Sequence, residues 1–225
     1  MNPVSTLSTA RTRTRPSALS TNKVLRNTYL LLGATLAFSA LTAGVAMVVN
    51  MPPLNGLLML AIYFGLLFAT MKTQNSSWGL LCVFLLTGFL GLTLGPIVSL
   101  YLKFLPHGGQ VVMSALGTTA ITFIGLSAYA IRSERDFSFM GGFLTIGIIA
   151  AFVLSLIGYF VHMPALSLAV SGLFVLLMGG VILFQTSAII HGGETNYIAA
   201  TVTLYVSIYN LFLSLLQIFG ALDEE

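Results

Sequence analysis

Between Arg26 and Asp223 charged residues are rare, and they cut the chain into five uncharged runs: 27–71, 73–102, 104–131, 137–193 and 195–222. A helix that crosses a bilayer needs about 20 consecutive apolar residues. The runs of 45 and 57 residues therefore hold two crossings each and the other three hold one each, which predicts seven. Each long run carries the break this requires, Asn50-Met51-Pro52-Pro53 in one and His162-Met163-Pro164 in the other. Proline opposes helical conformation in the residue before it. The predicted spans are 28–49, 54–71, 78–101, 111–131, 140–161, 164–190 and 196–221. A membrane β-barrel would alternate in polarity over segments of about ten residues, and uniform stretches such as Leu30-Leu31-Leu32 do not alternate. The fold class is an all-α integral membrane protein, a bundle of seven transmembrane helices.

Composition agrees: 57% of the 225 residues are hydrophobic and 7% charged, against about 25% charged in soluble domains. The net charge of +3 reflects topology rather than nucleic-acid binding. Five of the nine basic residues, Arg11, Arg13, Arg15, Lys23 and Arg26, precede the first span. A cytoplasmic N-terminus places those five with Lys72, Arg132 and Arg135 on the inner side and leaves Lys103 alone outside, as the positive-inside rule requires. Seven spans then put the acidic end, 223–225, on the periplasmic side of an inner membrane. Residues 1–22, rich in Ser, Thr and Arg, have nothing to bury and are expected to be a disordered cytoplasmic tail before a membrane domain over 23–222. The basic tail also suits contact with anionic membrane lipid. Its acid-free composition is shared by transit peptides, but its apolar residues are too sparse for an amphipathic face; the apolar stretch after Arg26 is too long for a cleaved signal.

No chemistry of the usual catalytic kinds is legible. Cys82 is the single cysteine, so no internal disulfide forms, and His107, His162 and His191 lack partners at metal-ligand spacing. Neither a nucleotide-binding glycine loop nor a nucleophile with an evident base occurs. No cofactor, no metal and no catalytic residue is expected. Every Asp, Glu, Lys and Arg falls in a tail, a loop or the last turn of a span, which argues against a charged ion pathway.

The seventh span carries the clearest pattern. Thr203, Ser207, Asn210, Ser214 and Gln217 recur at steps of 4, 3, 4 and 3, a single stripe on a helix that lipid would reject. The stripe places this span centrally, where it serves either as polar glue between helices or as the wall of a polar cavity. Gln185, with Thr186 and Ser187, is the matching cluster of span six, and its amide is expected to find a partner on a neighbouring helix. Gly91-Leu-Thr-Leu-Gly95, followed by Pro96, is a close-packing motif with a kink at the outer end of span three, and Gly172, Gly179 and Gly180 invite a packing reading in span six.

The segment Leu183–Tyr197 (LFQTSAIIHGGETNY), followed by Leu204–Phe212 (LYVSIYNLF), resembles the last two spans of the Bax inhibitor-1 family, and most of all its bacterial YccA-like branch. Further likeness lies in Lys23–Tyr29, in Thr87–Gly91 with Gly95-Pro96, and in Phe139–Gly142. The resemblance implies six helices around a central seventh. In calcium-leak members, carboxylates in spans six and seven form a pH-sensing pair; the matching positions here are Gln185 and Ser207, and neither titrates. The YccA-like branch implies instead a slowly degraded substrate and modulator of FtsH, the membrane-anchored ATP-dependent protease. The expected function is thus a non-enzymatic inner-membrane regulator whose partner is an FtsH-type protease complex. The loop His191-Gly192-Gly193-Glu194 is a candidate cytoplasmic contact, and a calcium or cation leak without the titratable pair is the alternative.

Overall fold

The computed structural model describes residues 18–133 and 135–223. Among the described residues seven helices follow one another: α1 Ala18–Val48, α2 Gly56–Thr73, α3 Trp78–Phe104, α4 Gly108–Ser133, α5 Gly141–Val161, α6 Pro164–Ile190 and α7 Tyr197–Asp223, with one 3-10 turn at Ser138–Met140. All seven are long and apolar enough to cross a membrane. Helix α1 already starts at Ala18, inside the stretch 1–22 expected as a tail; residues 1–17 and 224–225 lie outside the described residues.

The breaks form where proline and capping chemistry demand them. Asn50 (φ 50°) and His162 (φ 56°) take left-handed conformations, and the His162 amide closes α5 by donating to Gly158 O at 3.0 Å. Pro164 opens α6, where its missing N–H costs no helical bond. Asn55 caps α2, its Oδ1 accepting from Leu57 N at 3.0 Å. Pro96 lies inside α3, which continues through it as one helix to Phe104.

Hydrogen bonds between loops show that successive helices run in alternate directions. At one end Asn196, ahead of α7, donates to Gln74 O in the α2–α3 loop at 3.1 Å, and Ser187 near the end of α6 donates to Arg135 O in the α4–α5 loop at 3.1 Å. At the other end Lys103 donates to Asn50 Oδ1 at 2.9 Å, and His107 Nδ1 lies 3.1 Å from Asp223 Oδ1. The first end gathers Lys23, Arg26, Lys72, Arg132 and Arg135, and the second holds Lys103.

Burial is concentrated in α3 and α7. Of the apolar stretch in each, 56% of residues are buried, against 6% in α2. Helix α7 runs through the middle and packs directly on α1, α3, α4 and α6, while α2 and α5 complete the ring across a cavity. The α1–α3 pairing is closest. A Cβ at Gly91 would strike Ser39 O and Thr42 Oγ1, and one at Gly95 would stand 2.6 Å from both Ala43 O and Ala46 Cβ, so only glycine permits this approach. In α6, Gly180 and Gly179 meet Leu144 and Leu126 respectively, but Gly172 faces open space and its expected packing role is not found.

Candidate functional site

The polar stripe of α7 divides between two environments. Thr203, Ser207 and Asn210 line a cavity of about 670 Å³ enclosed by α2, α5, α6 and α7, with Leu90 of α3. Ser214 is buried. Gln217 borders a second cavity of about 380 Å³ at the Lys103 end and accepts from Ser171 Oγ of α6 at 2.6 Å. The stripe thus bonds a neighbouring helix at one height and borders a cavity at another. The upper three side chains each return a hydrogen bond to their own backbone: Thr203 Oγ1 to Ala199 O at 3.0 Å, Ser207 Oγ to Thr203 O at 2.7 Å, and Asn210 Nδ2 to Val206 O at 2.8 Å. These bonds use both hydroxyl donors and one of the two Asn210 amide hydrogens, and the hydroxyl and amide oxygens keep acceptor capacity. None of the residues lining either cavity is charged.

Gln185 and Ser207 are both buried, 5% and 2% exposed. The expectation that the Gln185 amide would pair is not met, since its Nε2 has no hydrogen-bond partner among the described residues. The adjacent side chains take the available partners because successive helical positions point about 100° apart. Thr186 Oγ1 meets the Tyr29 hydroxyl at 3.3 Å, and Ser187 Oγ accepts from Phe137 N at 3.0 Å while donating to Arg135 O.

The loop 191–194 is a turn built for geometry. Gly192 takes φ 72°, and the amides of Gly193 and Glu194 both donate to Ala188 O, at 2.8 and 3.0 Å, which closes the end of α6. Glu194 Oε1 accepts from Asn196 N at 2.7 Å, so this carboxylate is committed to the turn. His191 is exposed, with Nδ1 2.9 Å from Ser187 O. Nearby, Asp136 accepts from both the side chain and the backbone N–H of Ser138, and these bonds, with a smaller contribution from His191, hold its carboxyl below the usual range. His191 and the Arg135-Asp136-Phe137 segment thereby form one polar surface.

Sequence reasoning missed Asn196 and the hydroxyl network of the core. Asn196 Oδ1 caps α7 by accepting from Ile198 N at 2.9 Å and Ala199 N at 3.2 Å, while Nδ2 also reaches Asn75 Oδ1 at 2.8 Å. An asparagine directly before an apolar helix is a capping signal that could have revealed it. The Tyr205 hydroxyl lies 2.6 Å from Ser39 Oγ and donates to Thr87 O at 3.3 Å, joining α7 to α1 and α3. No local pattern marks that contact.

Over residues 21–224 the chain matches the model of the Bax1-I family, described as inhibitor of apoptosis-promoting Bax1. The chain belongs to the Bax1-I family. Among its relatives, the modulator of FtsH protease YccA from Escherichia coli strain K12 is 51% identical over 211 residues, covering 94% of this chain and 95% of that protein. An uncharacterized protein of Pseudomonas aeruginosa is 54% identical over 197 residues, 88% of each chain, and an uncharacterized membrane protein of Vibrio cholerae is 45% identical over 216 residues, 96% of each. The seven membrane-length helices and the family membership agree. Within this Bax1-I chain, the two positions that the sequence resemblance marks for a carboxylate pair carry an amide and a hydroxyl, so proton sharing between carboxylates is not available to them.

Proposed function

We propose that this protein is a non-enzymatic, multi-pass inner-membrane regulator of an FtsH-type membrane protease, with its N-terminus in the cytoplasm and its C-terminus in the periplasm. The observation that carries the reading is the 51% identity to the E. coli modulator across 94% of the chain. Orientation rests on charge: the end holding Lys23, Arg26, Lys72, Arg132 and Arg135 is the cytoplasmic one. Residues 1–17, polar and basic by sequence, are the segment a cytoplasmic motor would grip, and the tightly joined α1, α3 and α7 are what resists its pull. His191 to Glu194, with Arg135 to Phe137, is the second contact surface on the same side. The cation-leak alternative gains no support from the cavities, whose linings carry no charge.

The test is co-purification of the full chain from native membranes together with its turnover. Full-length protein should bring down the protease and decay slowly. A chain lacking residues 2–17 should insert normally yet lose protease-dependent turnover. Absence of the protease from the purified complex, with turnover unchanged by the deletion, would refute the proposal.

A further inference from the structure

The larger cavity has the size and chemistry of a ligand site. At about 670 Å³ it lies within the range of small-molecule pockets, which combine apolar walls with a few placed polar groups. Its lining on α2 runs from Met59 to Met71, a length of roughly 18 Å at helical rise. A space of this length and volume admits a single flexible lipophile lying along α2.

The polar groups define what that lipophile carries. Asn210 stands midway along α7, about 20 Å from either end by helical rise, far below the depth of a phospholipid headgroup. Its Oδ1 has no partner among the described residues, and the Thr203 and Ser207 oxygens keep acceptor capacity after donating to their own helix. Such acceptors suit a neutral hydroxyl donor, and no charged residue lines the cavity to pair with an ionised group. Phe64 and Phe152, edge to face with centroids 5.7 Å apart, join α2 to α5 on the side where Phe64 and Ile149 are exposed to lipid. We infer that this cavity binds an uncharged lipophilic alcohol of single-chain width, entering from the bilayer between α2 and α5 and placing its hydroxyl on Asn210 and Ser207. The inference is independent of the protease reading.

The test uses the full chain in phospholipid nanodiscs with a long-chain alcohol bearing a diazirine, the adducts being mapped by peptide mass spectrometry. Adducts should fall on the cavity faces of α2, α6 and α7. Unlabelled hexadecanol should compete about fivefold better than hexadecane, the worth of one net hydrogen bond. Asn210→Leu should abolish that preference, and two separate fillings, Val206→Phe and Leu213→Phe, should each suppress labelling in protein that elutes as a folded species. Equal competition by the alkane, labelling spread evenly over the lipid-facing surface, or equal cavity labelling by a diazirine phospholipid would overturn the inference.

Discussion

Gly91→Ala tests the tightest joint in the bundle. The added methyl would collide with Thr42 Oγ1 and with Ser39 O and Cα on α1, the last two being backbone atoms that cannot swing away. Helix α1 must move out by several tenths of an ångström or more, and overpacking of this kind costs about 1–3 kcal/mol. Ser39 is also the residue whose Oγ lies 2.6 Å from the Tyr205 hydroxyl, so the same movement weakens a buried hydrogen bond worth about 1 kcal/mol. The total is about 2–4 kcal/mol of destabilisation. Gly44→Ala on α1 is the internal control: a Cβ there meets nothing within 4 Å, and a helix gains about 0.5–1 kcal/mol from exchanging glycine for alanine. Cys82, half-buried in α3 and the single cysteine, reports unfolding through its reaction with a thiol-sensitive dye during a thermal ramp. Gly91→Ala should unmask Cys82 at a clearly lower temperature, and Gly44→Ala at the wild-type temperature or above. Tyr205→Phe should cost less in the Gly91→Ala background than alone, because the bond it removes is already weakened. Wild-type stability for Gly91→Ala, or equal damage from Gly44→Ala, would refute the close-approach argument.

Asn196→Ala should destabilise the protein by about 1–2 kcal/mol through loss of the α7 cap and its tether to Gln74 and Asn75; Asn55→Ala, at an exposed cap without a tether, should cost less in the same thermal assay. The α4–α5 segment should loosen in acid. Asp136 has a carboxyl lowered below its ordinary value, so its contribution is fully present above the unfolded value and is lost as pH falls through the lowered one. Limited proteolysis across that acid range should show the segment opening, and Ser138→Ala should make cleavage less dependent on pH. Ser171→Ala should leave Gln217 without its donor and lower thermal stability by about 1 kcal/mol; an unchanged melt would show that bond to be idle.

The spans were readable because membrane crossing depends on length and charge, which are properties of consecutive residues. Each observed helix overlaps its predicted span, and the two proline breaks end helices where expected, at Val48 and Val161. The α7 stripe was readable for the same reason, since helical periodicity assigns residues to a face. Periodicity is silent on how far away the neighbouring helices stand. Thr203, Ser207 and Asn210 share their stripe with Gln217, yet they look across a cavity to α2 while Gln217 bonds Ser171 on α6. Gln185 illustrates the same limit. Burial followed from its position in an apolar helix, but its Nε2 has no partner among the described residues because Thr186 and Ser187 point to the elements that offer partners. Contacts such as Ser39 with Tyr205, 166 residues apart, arise from the packing of three helices and leave no local trace.

The cohesion of the bundle is uneven, and the unevenness bears on its proposed role. Helix α1, which a motor gripping the N-terminus would meet first, is held to α3 across Gly91 and Gly95 and to α7 through Ser39 and Tyr205. It also meets the opposite end of the chain fold through Thr28 O, which accepts from Thr201 Oγ1 at 3.2 Å, and through the Tyr29 hydroxyl beside Thr186. Extracting α1 therefore requires breaking contacts to three other helices at once, whereas α2 and α5, the loosest elements, lie later in the sequence and offer no early yield. A chain ordered this way presents its greatest resistance at the start of N-terminal pulling, before any weaker element can give way. For the proposed role, slow degradation is the outcome expected from where the strong contacts sit along the chain, without requiring that the bundle as a whole be unusually stable.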